Sequence, residues 1–243
     1  MKKLLLILAL ALSANAWAEE IKKSYYLEGQ LSSEAVYVNG KMNGPYKEYH
    51  KNGKIESIGQ YLNDEKSGPW SHFAKNRILV EEGNFVEGKE EGIWKYYSKL
   101  GNLFEIVQFK NSLENGISAT FYPSGAVRCK TSYIAAVLQG TRQSFYPNGN
   151  IRVQHTYTDG RLHGIGHAWS KEGQLVVQFT DINGKEKERE RAFYDGLNED
   201  EAWDLFDLSK VEGKRGSDNH NKYLVLWPCG EDGWTDEELF DDH

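Results

Sequence analysis

GPYKEYHKNGKI, residues 44–55, gathers two tyrosines, a histidine and several lysines around an Asn-Gly turn. GPWSHFAKNRIL, residues 68–79, has nearly the same outline. Behind the likeness stand Gly44, Gly68, Gly92, Gly116, Gly140 and Gly164, one every 24 residues without a slip. Five positions after each glycine comes an aromatic: Tyr49, Phe73, Tyr97, Phe121, Phe145 and Trp169. A second glycine follows at Gly53, Gly101, Gly125, Gly149 and Gly173, with Arg77 breaking the column. Two further on stands an aliphatic, from Ile55 to Leu175, and each of the first five units closes on Tyr61, Phe85, Phe109, Tyr133 or Tyr157. Residues 44–55 are therefore one tile of a repeat, and the repeat decides the fold.

Each unit reads as a β-hairpin. One strand runs from the first glycine to the aromatic, and the return strand runs from the aliphatic to the closing aromatic. Between them lie turns such as His50 to Gly53 and Tyr146 to Gly149, in which Asn-Gly and Pro-x-Gly supply the positive φ a tight turn needs. A second turn, Asn63 to Gly68 or Asp159 to Gly164, is expected to lead to the next hairpin. Glycine at this density excludes a helix. The expected fold is all-β: an elongated antiparallel meander of about six to seven 24-residue hairpins, each burying its apolar face by joining its neighbours.

Asn39-Gly40-Lys41-Met42-Asn43-Gly44-Pro45-Tyr46, continuing to Ile55, resembles the longer bacterial variant of the MORN repeat. The resemblance covers about Tyr25 to Phe193. It implies an elongated hairpin array that acts in protein interaction or membrane attachment, antitoxin-like in some members, and it brings no catalytic residues. The sequence departs from the pattern at Arg77 and at the apolar turn Ala135-Ala136-Val137-Leu138, which suggests local packing against the tail.

The ends differ from the array. Lys2 and Lys3 precede an apolar run, Leu4 to Leu12, and a small-x-small site at Ala16-Trp17-Ala18. This is the pattern of a cleavable signal peptide, residues 1–18, and it predicts a periplasmic or secreted chain beginning at Glu19. The run is well short of the ~20 residues that span a bilayer. The array is assigned to residues 19–193. Residues 194–243 are expected to form a small α+β cap with an acidic tail: Asn198 and Glu201 have capping-box spacing, and Lys222 to Trp227 reads as a strand. Cys129 and Cys229 would meet in an oxidising compartment as a disulfide or stay as two buried thiols; spacing does not decide.

From Ile21 to Gly184 there are 19 Lys/Arg against 16 Asp/Glu, and from Lys185 onward 8 against 18. No basic face exists for a nucleic acid. Phosphate loops, HExxH and the G-x-S-x-G elbow are all missing from the sequence, so no catalytic residue, cofactor or metal site is assigned. His163 and His167, with His155 as third ligand, read as local variation because other units carry Asn43/Lys47 or Glu91/Lys95 there.

The informative column lies two residues after each first glycine: Tyr46, Trp70 and Trp94, then Ser118, Arg142 and Gly166. Tyr46, Trp70 and Trp94 would either pack cross-strand or form an exposed aromatic strip for a partner. The expected function is that of a non-enzymatic exported scaffold for a protein partner, an immunity-like neutraliser being one form. The alternative is a module for envelope glycan or lipid headgroups. Exposed sheet edges admit a monomer or a dimer.

Overall fold

The computed structural model describes residues 19–183 and 185–191, and these residues are all β. Residues 1–18, expected as a signal peptide, residues 194–243, expected as a cap, and Cys229 lie outside the described residues. The first eight strands are β1 (Glu19–Tyr25), β2 (Leu31–Val38), β3 (Lys41–Tyr49), β4 (Ile55–Leu62), β5 (Glu65–Phe73), β6 (Leu79–Val86), β7 (Lys89–Tyr97) and β8 (Leu103–Lys110). There follow β9 (Leu113–Glu114), β10 (Gly116–Phe121), β11 (Val127–Ile134), β12 (Val137–Leu138) and β13 (Gly140–Phe145). The last are β14 (Ile151–Thr158), β15 (Arg161–Leu162), β16 (Gly164–Trp169), β17 (Leu175–Ile182) and β18 (Lys185–Arg191). β9 with β10, β12 with β13 and β15 with β16 are halves of single strands interrupted at Asn115, Gln139 and His163. With these halves joined, each strand pairs antiparallel with the next, so the described residues form one open meander.

Two turn types alternate. In the first, Gly53 N–H donates to the His50 carbonyl and His50 N–H to that of Lys54, with Gly53 at φ 77°. This is the three-residue hairpin loop with a left-handed third position. Arg77 occupies that position in the next unit at φ 76° and keeps the same bonds without a glycine. The second turn is shorter than the sequence suggests. It is a two-residue loop with both residues at positive φ: Asn63-Asp64, Glu87-Gly88, Asn111-Ser112, Ala135-Ala136 and Asp159-Gly160.

Gly116, Gly140 and Gly164 open β10, β13 and β16, but Gly44, Gly68 and Gly92 lie inside their strands. Gly68 lies inside β5, at φ 68°, where the ladder breaks register. Ile58 faces Ser71 while Gln60 faces Ser67, so four residues of β5 span the step that two of β4 span. The same offset recurs between β2 and β3 and between β6 and β7. Bulges bend a strand and increase its twist, and here one recurs at the same point of successive units. Composition and spacing showed a glycine was needed; only the pairing showed that it serves a bulge.

Two extra residues leave strand parity unchanged. Tyr46, Trp70 and Trp94 thus stay on one face with the closing aromatics Tyr61, Phe85 and Phe109. We call this the inner face. Tyr49, Phe73 and Tyr97 lie half-buried on the other face at the hairpin ends.

A candidate interaction face

Trp70 and Trp94 are each 1% exposed. Their rings lie over glycines of the preceding strand. A Cβ on Gly59 would come within 2.3 Å of the Trp70 indole, and one on Gly83 within 2.1 Å of the Trp94 indole. Neither glycine has positive φ, so both are required by close approach. Tyr61 and Phe85 meet the Trp70 ring edge-on at centroid distances of 5.3 and 5.9 Å. The Lys66 ammonium covers it at 4.2 Å. Burial lowers the Lys66 pKa, against the pull of Glu81, Glu48 and Glu90. Each indole Nε1–H donates to a carbonyl beside a bulge, Trp70 to Gln60 at 3.2 Å and Trp94 to Asn84 at 3.3 Å.

Of the two readings of Tyr46, Trp70 and Trp94, the side chains adopt cross-strand packing and not the exposed strip. Tyr46 is half-buried at 5.7 Å from Trp70, and the tryptophans present no surface to a partner. Glycines opposite the tryptophans across β4–β5 and β6–β7 were the signal that could have assigned the buried face.

Farther along the inner face the same row turns polar. Ser118 stands opposite Thr131, and Arg142 opposite His155, and of these Ser118, Arg142 and His155 are buried. Burial and then the Arg142 charge hold His155 down at a pKa of about 4. Burial lowers Arg142 as well, against hydrogen bonding to Tyr157. In the neighbouring row burial, helped by Glu114, pushes Glu105 up to about 7. His155 faces inward, whereas His167 pairs with Gln154 on the outer face and approaches Gln178 Oε1 at 3.2 Å. His163 is an exposed residue at the strand break. The histidine trio is thus split between two faces. Among the described residues no group of three His, Cys, Asp or Glu side chains is placed to hold a metal. Cys129 is buried, and its pairing with Cys229 falls outside the described residues.

His50 has a structural task. Its Nε2 lies 2.7 Å from the Phe73 carbonyl, one unit on. Tyr26, Tyr122 and Tyr146 occupy the same repeat position and donate their hydroxyls to Tyr49, Phe145 and Trp169 carbonyls at 2.6 to 2.9 Å. The turn column therefore stitches neighbouring hairpins together.

On the outer face, one residue after each 24-residue glycine, stand Pro45, Pro69, Ile93, Ile117, Thr141 and Ile165. Ile93, Ile117 and Ile165 are 58%, 57% and 51% exposed. Beside Ile117 the patch widens: Ile134 and Val137 pair across the Ala135-Ala136 turn at 61% and 44% exposure, with Leu113 exposed on the strand before. Ile134 and Val137 are exposed at this turn, and the packing against the tail expected of it falls outside the described residues. Exposed aliphatics concentrated on one sheet face mark contact surfaces more often than scattered ones do. The column was missed because its neighbour, two residues after the glycine, carries the conspicuous aromatics.

Four segments match the MORN repeat variant. They are residues 21–39, 42–63, 90–111 and 138–159. The last three begin at 48-residue intervals, so alternate units match, and the units between them contain Arg77 and Ala135. No curated protein matches the chain by sequence. MORN-type repeats often serve binding. Among the described residues no helix is long and apolar enough to cross a membrane.

Proposed function

We propose that the chain is a non-enzymatic binding scaffold of the cell envelope, exported by residues 1–18, which presents the outer face of its MORN-type units to a protein partner. The observation that carries this reading is the aliphatic column Ile93, Ile117 and Ile165, widened at Ile134, on the face opposite the aromatic core. A protein is favoured over a glycan because Trp70 and Trp94, which would stack on sugar rings, are buried. Neutralisation of a toxic enzyme is one form such binding would take. The test is recovery of partners from envelope extract with the wild-type chain and with Ile117→Asp/Ile134→Asp. Both side chains are exposed, so the variant should keep its fold, with a stability change of about 0.5 kcal/mol or less. Its partner should be lost; retention of the same partner would remove the outer face from the reading.

A further inference from the structure

Among the described residues β1 pairs only with β2, and all of its residues are exposed. Its outer edge therefore offers N–H and C=O groups that no described strand pairs, a template for another strand. The chemistry of the strand names the occupant. Glu19-Glu20-Ile21-Lys22-Lys23 is two acids, an aliphatic and two bases, and it is its own complement when run antiparallel. With Ile21 against Ile21 of a second copy, Glu19 faces Lys23 and Glu20 faces Lys22, in both directions.

The faces agree with this register. Ile21 and Lys23 pair with Val36 and Glu34 on the outer side, while Glu20 and Lys22 pair with Tyr37 and Ala35 on the inner side. A two-fold axis normal to the sheet keeps each side chain on its own face. Glu19 and Lys23 then meet outside, with the two Ile21 side chains between the pairs, and Glu20 and Lys22 meet inside. Shifting the centre by one residue sets Glu20 against Glu20 or Lys22 against Lys22, so the alternatives are repulsive. Lys23 is already held on the outer face by Glu34 at 2.9 Å, and Lys22 lies over the Tyr37 ring at 4.3 Å. Both ammonium groups thus stand in place before a second strand arrives.

We propose that two copies of this chain join through β1 in that register, giving one continuous sheet with a two-fold axis at Ile21. Ile21, 63% exposed, lies on the same face as Ile93 and Ile117, so the dimer would also carry two outer apolar columns on one sheet face.

Sedimentation of the full chain, purified as the producing cell delivers it, tests the proposal across about 1–100 µM. The wild type should dimerise within that range. Lys22→Glu/Lys23→Glu and Glu19→Lys/Glu20→Lys should each weaken the dimer by about tenfold or more. An equimolar mixture of the two variants should regain it as a heterodimer. Ile21→Cys should form a reducible cross-link to itself, because directly opposed residues in an antiparallel pair lie about 4.5–5.5 Å apart at Cα. A wild type that is monomeric throughout, a dimer indifferent to charge reversal, or cross-linking at Lys23→Cys in place of Ile21→Cys would each overturn it. Far-UV circular dichroism of every variant separates loss of pairing from loss of fold.

Discussion

The inner face of the sheet is built twice, by two different rules. Between β4 and β7 a glycine lies under each tryptophan, Gly59 under Trp70 and Gly83 under Trp94, and the contact is aromatic and dry. At the same places farther along, Val107 stands beside Ser118, Thr131 beside Arg142 and His155 beside Gly166. Where one strand gives up its side chain the next supplies a large one, and where it keeps its side chain the next is small or polar. The 24-residue period conserves the backbone while the volume above it is traded between strands. One repeat can thus hold an aromatic core at one end and a buried polar one at the other.

The largest test of this difference is truncation of the ladder at either end. Trp94→Ala should cost about 3–5 kcal/mol in chemical denaturation, whereas Ser118→Ala, at the same repeat position, should cost about 1 kcal/mol. Gly83→Val should also be severe, since its first carbon already collides with the indole. Trp94→Ser with Gly83→Val would copy the Val107/Ser118 arrangement. It should be less destabilising than the two single changes added together, by roughly 1–3 kcal/mol of coupling. Strict additivity would mean that the two positions do not share volume.

The next test uses pH. Glu105 has a folded pKa of about 7, raised by burial, so the folded state holds its proton more tightly than the unfolded chain. Its contribution is favourable at low pH and is lost as pH rises from the ordinary carboxyl value through about 7. His155 runs the other way: with a folded pKa near 4, stability is lost as pH falls from the ordinary imidazole value toward 4. Denaturation of Glu105→Gln should show a gain over wild type at pH 8 that shrinks toward pH 5. A gain of equal size at both pH values would show that its titration is not coupled to folding.

The smallest effects belong to the sites where the repeat is broken. Arg77 at φ 76°, and Ala135 and Ala136 at 47° and 62°, hold left-handed backbone without the residues that favour it. Arg77→Gly should raise stability by about 1 kcal/mol, and Ala135→Asn/Ala136→Gly by about 1–2 kcal/mol, read as an increase in Tm. A fall in Tm would mean that the side chains contribute more than the backbone loses.

Much of this protein was legible in its residues. Local chemistry with a fixed spacing, glycine, Asn-Gly and alternating apolar positions, determined the hairpins, their period and their antiparallel succession. The site was less legible, because sequence parity shows that Trp94 and Ile93 point opposite ways but not which way is in. Only the tertiary pairing decided that, by setting Gly83 beneath Trp94 and leaving Ile93 in the open. The physical reason is that burial is set by the side chains of neighbouring strands, while a repeat records only what each unit needs for its own backbone. It was also the pairing that showed Gly44, Gly68 and Gly92 to serve bulges inside their strands, since a bulge is a mismatch between two strands and exists in neither alone.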